Sequence, residues 1–255
     1  MLLAVDTGNT HTVLGLFDGD RLCADWRIST RKAETPDELG ALFRALFAAE
    51  GLEPSSVDGV IVSSVVPDWN AVLAATARKT FGHEAIFVAP GIKTGLPILY
   101  ENPHEVGADR IVNAVAAVHR FGAPVLVLDF GTATTFDVVG PKGEYLGGVI
   151  APGVGISAEA LFQRAARLMR VDVKKPARII GKNTEESVQA GLFHGYVALV
   201  EGVVRRLRAE RGGEAPVVAT GGLATVFRDE LTFLAAVDPH LTLLGLRLIW
   251  DKNRK

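Results

Sequence analysis

The sequence predicts an α/β protein built from two duplicated domains, each a mixed sheet flanked by helices, and three observations carry that expectation. A strand ending in an acidic, glycine-containing turn occurs twice, at Asp6-Thr7-Gly8-Asn9-Thr10 and at Asp129-Phe130-Gly131-Thr132-Ala133. Placing Asp6 on Asp129 also aligns Gly8 with Gly131 and Thr12 with Thr135, with an apolar run before each turn and a hairpin signal after it. The copies stand 123 residues apart in a chain of 255, a period too long for a solenoid and suited to two related domains.

Each element follows from its local pattern. Leu2 to Val5 reads as a buried strand, Thr12 to Phe17 resumes as a second, and Asp18-Gly19 turns the chain into a third from Arg21 to Ser29. Thr35-Pro36-Asp37-Glu38 starts a helix to about Glu50, with Leu39, Leu42, Phe43, Leu46 and Phe47 along one face. Strands at 59–63 and 85–88 then bracket a helix at 70–80, and an apolar-periodic helix spans Ile111 to Arg120. The second half repeats the beginning: a strand at 125–128, another at 133–139, a Pro-Lys-Gly turn, and a third at 144–150. Helices are expected over Gly155 to Met169, Thr184 to Arg211, Leu223 to Leu234 and Leu241 to Trp250, with one further strand from Val217 to Thr220. A boundary near His119 to Ala123 divides the chain into domains 1–118 and 119–255.

Composition removes several classes of function. With 48% hydrophobic and 22% charged residues the chain has the means to bury large cores, and its apolar runs fall short of the roughly 18 residues a membrane span needs. No basic leader precedes Asp6, so a cytoplasmic protein without membrane association is expected. The single cysteine, Cys23, has no disulfide partner within the chain, and no His/Cys group has zinc spacing. A net charge of -2 gives no footprint for nucleic acid. The arginines at 205, 206, 208 and 211 suit a helix end, where cations complement the dipole.

The repeated turn is the chemical signal. A strand ending in Asp-x-Gly supplies a carboxylate beside a backbone that phosphate can approach closely, with N–H and hydroxyl donors next to it. One copy alone reads as an ordinary hairpin turn; two at equivalent positions point to an ATP site in a cleft between actin/ribonuclease H-like domains. Ala219-Thr220-Gly221-Gly222, between a strand and a helix, suits either a nucleotide base or a plain tight turn. No segment fits the full P-loop pattern, and no G-x-G-x-x-G opens a helix after the first strand. At Gly107-Ala108-Asp109-Arg110 a carboxylate and a guanidinium begin a helix about 100° apart, so they suit different ligands. Helix capping by Asp109 with a solvated Arg110 is the plain alternative. Asn183-Thr184-Glu185-Glu186 has the pattern of a capped helix start, and Gly191, Gly195 and Gly202 follow on that helix.

Taken together these motifs resemble the type III pantothenate kinases over nearly the whole chain. The resemblance rests on Asp6-x-Gly8-Asn9-Thr10, Asn102-Pro103 before Gly107-Ala108-Asp109-Arg110, Asp129-Phe130-Gly131-Thr132-Ala133-Thr134-Thr135, Gly147-Gly148-x-Ile150-x-Pro152-Gly153, and Gly181-x-Asn183-Thr184 with Gln189 and Gly191. It implies an ATP-dependent phosphotransferase that phosphorylates pantothenate in the first step of coenzyme A synthesis. It further implies ATP binding by Asp6, Thr7, Gly8, Asn9, Thr10, His11, Thr12 and Val13, with Thr132 from the second turn. Asp109 would accept the hydroxyl proton, and Tyr100, Gly107, Ala108, Asp109, Arg110 and Thr184 would form the pantothenate site. Asp129 would bind a monovalent cation, K⁺ or NH₄⁺, with Mg²⁺ accompanying ATP, and the protein would be a homodimer. A non-catalytic regulator that keeps the nucleotide site, or a kinase or phosphatase of the same fold with another substrate, are the competing expectations.

Overall fold

In the computed structural model, described here for residues 1–165, 168 and 170–254, the chain separates into two compact units. Unit 1 comprises Met1–Ala116 with His240–Lys255, and unit 2 comprises Ala117–Pro239.

Unit 1 begins with three consecutive antiparallel strands, β1 (Leu2–Thr7), β2 (His11–Asp18) and β3 (Arg21–Ser29). The hairpin between β2 and β3 turns at Gly19, whose φ of 58° is the left-handed conformation that favours glycine. Helix α1 (Pro36–Ala49) starts at a capping box: Glu38 N–H donates to Thr35 Oγ1 (3.3 Å) and Thr35 N–H donates to Glu38 Oε2 (2.8 Å). Then come β4 (Gly59–Ser64), α2 (Asn70–Phe81), β5 (Ala85–Phe87) and α3 (Ala108–Phe121), the last of which contains the division between the units. The sheet order is β3-β2-β1-β4-β5, with β1, β4 and β5 mutually parallel. One face packs Leu3, Val5, Leu14 and Leu16 against Phe43, Phe47, Trp69 and Phe81.

Unit 2 repeats this plan. Strands β6 (Val125–Phe130), β7 (Ala133–Val139) and β8 (Tyr145–Pro152) form the antiparallel set, followed by α4 (Val154–Arg164), α5 (Thr184–Arg211), β9 (Val217–Thr220), α6 (Ala224–Phe227) and β10 (Leu234–Val237). The order β10-β9-β6-β7-β8 is that of unit 1 strand for strand, and β6, β9 and β10 are parallel. The duplication expected from the sequence is therefore a duplication of topology. Of the helix expected from Gly155 to Met169, residues 166, 167 and 169 lie outside the described residues.

Two expectations need correction. The helix expected from Leu223 to Leu234 is only the short α6, after which the chain turns and adds the parallel edge strand β10. The turn that follows is held in the core: Glu230 and Leu231 N–H both donate to Phe227 O (3.1 Å), Phe227 stacks on Phe130 (4.9 Å between centroids) and Phe193 (5.2 Å), and Leu231 is buried in the same cluster. The division into 1–118 and 119–255 also differs from the units, because the final helix, α7 (Leu241–Asn253), returns to unit 1 and packs on β1, β4 and β2. Gly59 makes room for it, since a Cβ there would lie 2.2 Å from the Trp250 ring. Burial of Leu241, Leu243, Leu246 and Ile249 contributes roughly 1.5–3 kcal/mol each to this docking. Thr242 Oγ1 donates to Asn113 Oδ1 (2.7 Å), joining α7 to α3. Among the described residues no helix is long and apolar enough to cross a membrane.

Candidate active site

In unit 1 the acidic turn lies between β1 and β2. Asp6 is the penultimate residue of β1 and faces Val13 on one side and Ser63 of β4 on the other in the strand register. Thr7 and Thr12 are buried, whereas Asn9, Thr10 and His11 are exposed, so the tip offers its polar groups to solvent while its roots are packed. Gly8 N–H donates to His11 O (2.9 Å), and a Cβ at Gly8 would stand 3.2 Å from that same oxygen. The turn is also tied to the end of β3, because Thr30 N–H donates to Thr10 O (3.0 Å) and Thr30 Oγ1 donates to Gly8 O (2.8 Å). Thr30 belongs to no motif, and its role is visible only once β3 pairs with β2.

Asp109 is the second residue of α3, and the same unit brings it near Asp6. Burial, and then the charge of Asp109, push the Asp6 carboxyl up from 3.8 to about 7, with Ser63 and the Arg27 guanidinium pulling the other way. Asp109 is itself raised, chiefly by burial, against the Arg110 N–H and the Arg110 charge. Its Oδ1 accepts from Arg110 N–H at 2.8 Å, which fixes the carboxylate orientation. A Cβ at Gly107 would lie 2.6 Å from that oxygen, so the approach to α3 leaves space for the carboxylate rather than for a side chain. Arg110 is buried rather than solvated, contrary to the simple capping alternative. Tyr100, half-buried, lies in the long connection from β5 to α3; Asn102 caps its single turn, accepting from His104 N–H (3.3 Å) and donating to Glu105 Oε1 (2.8 Å).

In unit 2 the second turn follows β6, with Asp129 half-buried and Gly131 and Thr132 exposed. Two other segments press on it. Gly221 has φ 92°, and a Cβ there would lie 2.4 Å from Asp129 Oδ1, so this glycine after β9 is packed directly on the Asp129 carboxylate and the Phe130 backbone. At Gly153, the residue before α4, a Cβ would stand 2.0 Å from Thr132 O. Thr184 opens α5, where Glu186 N–H donates to Asn183 Oδ1 (2.8 Å) and Asn183 Nδ2 donates to Glu186 Oε1 (3.2 Å), the expected cap. An open groove of about 800 Å³ runs beside it, lined by Leu161, Lys182, Asn183, Thr184, Ser187 and Gly191. The structure thus gathers Asp6 to Val13 with Asp109 in unit 1, and Asp129 with Thr132 in unit 2, while Thr184 stands in a separate groove of unit 2.

Two five-stranded mixed sheets of identical order, each carrying an acidic turn after its first strand, define a protein of the actin-like ATPase and sugar-kinase fold. An archaeal actin homologue has this fold at 13% identity, with a TM-score of 0.54 over 96% of this chain and 98% of that one. The family model for type III pantothenate kinase matches residues 2–206. Relatives of that description from Myxococcus xanthus (54% identical, 99% of each chain) and Brevibacillus brevis (53%, 100% of each) extend the match over the full length. The chain belongs to the type III pantothenate kinase family.

Proposed function

We propose that this chain transfers the γ-phosphate of ATP to the hydroxyl of pantothenate, giving 4′-phosphopantothenate and ADP, the first step of coenzyme A synthesis. The observation that carries the reading is the pairing of Asp6 with Asp109 beside an exposed turn of donors in unit 1. The segment Asp6 to Val13 forms the phosphate-binding turn, with Thr12 at its buried root, and Thr132 contributes from the second turn. Tyr100, Gly107, Ala108, Arg110 and Thr184 hold pantothenate, and Arg110 is suited to its carboxylate. Asp109 accepts the proton as the hydroxyl oxygen bonds to the γ-phosphorus and the bond to ADP breaks. Burial makes it a better base than an ordinary aspartate, and its fixed orientation helps align the attacking oxygen.

Two neighbouring half-buried carboxylates favour a cation, which fits the divalent metal used by this family with ATP. Among the described residues no cluster of three or more His, Cys, Asp or Glu side chains is placed to hold a metal, so Asp6 would hold Mg²⁺ together with phosphate oxygens. The bound metal supplies neutralisation of phosphate charge. Asp129 is the proposed ligand of K⁺ or NH₄⁺. The protein works in the cytoplasm as a homodimer, without nucleic acid or membrane as a partner.

The test is pantothenate-dependent ADP release from ATP with Mg²⁺, with and without K⁺. Turnover should be stimulated by K⁺, and Asp109→Asn should lower kcat by about 10²-fold or more while the melting temperature is kept. No ADP release above the pantothenate-free rate would sink the reading, and wild-type kcat in Asp109→Asn would remove Asp109 from the chemistry.

A further inference from the structure

The hydrogen bonds around Thr30 have a direction that proton counting fixes. A threonine hydroxyl carries one proton. That of Thr30 goes to Gly8 O at 2.8 Å, a carbonyl that can only accept. Thr30 Oγ1 also lies 3.0 Å from Thr12 Oγ1, so the hydrogen in that contact must come from Thr12. Thr12 is 0% exposed, and its proton is committed to Thr30 rather than to anything beyond the turn. The chain of donors therefore runs Thr12 to Thr30 to Gly8 O, while Thr30 N–H holds Thr10 O at 3.0 Å. Carbonyls at both ends of the Gly8–Thr10 turn are anchored by one residue of the neighbouring strand end.

We propose that Thr12 and Thr30 form a one-way hydroxyl relay that sets the Gly8–Thr10 backbone for nucleotide phosphate. Both are positioning residues, and Thr12 acts through Thr30 instead of on ATP. The proposal rests on the turn being the ATP site and sharpens it: the exposed Asn9, Thr10 and His11 are the side that meets phosphate. A turn already held in its bound shape loses less conformational freedom when the ligand arrives, which is how such an anchor raises affinity.

The experiment is calorimetric titration of Mg·ADP, with steady-state KM and kcat for both substrates, on Thr30→Val, Thr30→Ser, Thr12→Val and the Thr12→Val/Thr30→Val double variant. Valine keeps the shape and removes the hydroxyl; serine keeps the hydroxyl. The Thr30 N–H bond to Thr10 survives in all of them, and melting temperatures monitor the fold. Thr30→Val should weaken Mg·ADP binding and raise the KM for ATP by about 5- to 10-fold, the scale of one hydrogen bond. The pantothenate KM should stay constant, and Thr30→Ser should bind as wild type does. The double variant should bind no more weakly than Thr30→Val, because the two residues act as one unit. Wild-type affinity in Thr30→Val would overturn the relay, as would a double variant whose loss is the product of the single losses, which would put Thr12 on the nucleotide. Absence of Mg·ADP binding by the wild-type protein would overturn both the relay and the kinase reading.

Discussion

At the scale of single residues, the ligand-free site works against itself. Asp6 and Asp109 stand out in the sequence as motif residues, but their proximity does not, because it depends on α3 reaching the end of β1. Thr30 carries no sequence signal at all, for its role comes from strand pairing. The raised Asp6 has a consequence for stability. A folded-state value near 7 against 3.8 means that the folded protein holds this proton more tightly than the unfolded chain does. The resulting stabilisation is complete below about pH 3.8 and is lost as the pH climbs through 7. The melting temperature of the ligand-free protein should therefore carry a downward component between pH 5 and 8. Asp6→Asn should flatten that component and raise the melting temperature at pH 8. Mg·ADP should stabilise the wild-type protein more as the pH rises, because the metal competes with the proton. Melting curves across this range decide the matter: an Asp6→Asn profile as steep as wild type would show that another group titrates.

At the scale of elements, most strands and helices were legible because each had its own punctuation: Asp18-Gly19 between β2 and β3, the Thr35 capping box before α1, Asn183 before α5. The failure at β10 has a physical cause. Leu234 to Val237 is a short apolar run, which periodicity alone does not assign to strand or helix. The duplication held the missing information, since unit 1 completes its sheet with a parallel β5 and unit 2 needed its counterpart. Close approaches between elements were equally hidden. Gly153 in the sequence is one glycine among several, yet a methyl group there would meet the Thr132 carbonyl at 2.0 Å, backbone against backbone. Gly153→Ala should displace the second turn and destabilise unit 2 by about 1–3 kcal/mol, in the range of overpacking. Gly155, two residues on and inside α4, has nothing among the described residues packed within 4 Å of its Cβ position, so Gly155→Ala should be neutral or stabilising by up to about 1 kcal/mol. Denaturant midpoints of the two variants test the contrast, and equal midpoints would mean that the turn yields freely.

At the scale of the whole molecule, the duplicated architecture was legible because a 123-residue repeat of turn and hairpin survives in the residues themselves. The return of α7 to unit 1 was not, because an amphipathic helix announces that it has an apolar face without naming the sheet that covers it. The same logic bears on the proposed dimer. Helix α5 keeps Gly191 and Gly195 on one exposed side, with no other packed element among the described residues within 4 Å of either Cβ position. Glycine in a helix interior costs about 1 kcal/mol relative to alanine, and no contact among the described residues accounts for it here. Of the exposed large apolar side chains among the described residues, Leu146, Ile150, Ile156, Leu161, Ile179 and Ile180 belong to unit 2 and Leu99 to unit 1, and Leu161 lines the same groove as Gly191 and Thr184. A second copy seated on this side of unit 2 would cover apolar surface and use the space that the glycines leave. Gly195→Arg should then convert a dimer to a monomer by light scattering after size exclusion. It should also raise the pantothenate KM, since Thr184 opens the same helix and lines the groove with Gly191, one turn before Gly195, while Mg·ADP affinity stays at the wild-type value. A wild-type protein that elutes as a monomer at micromolar concentration would refute the dimer, and a Gly195→Arg protein that remains dimeric would move the interface away from α5.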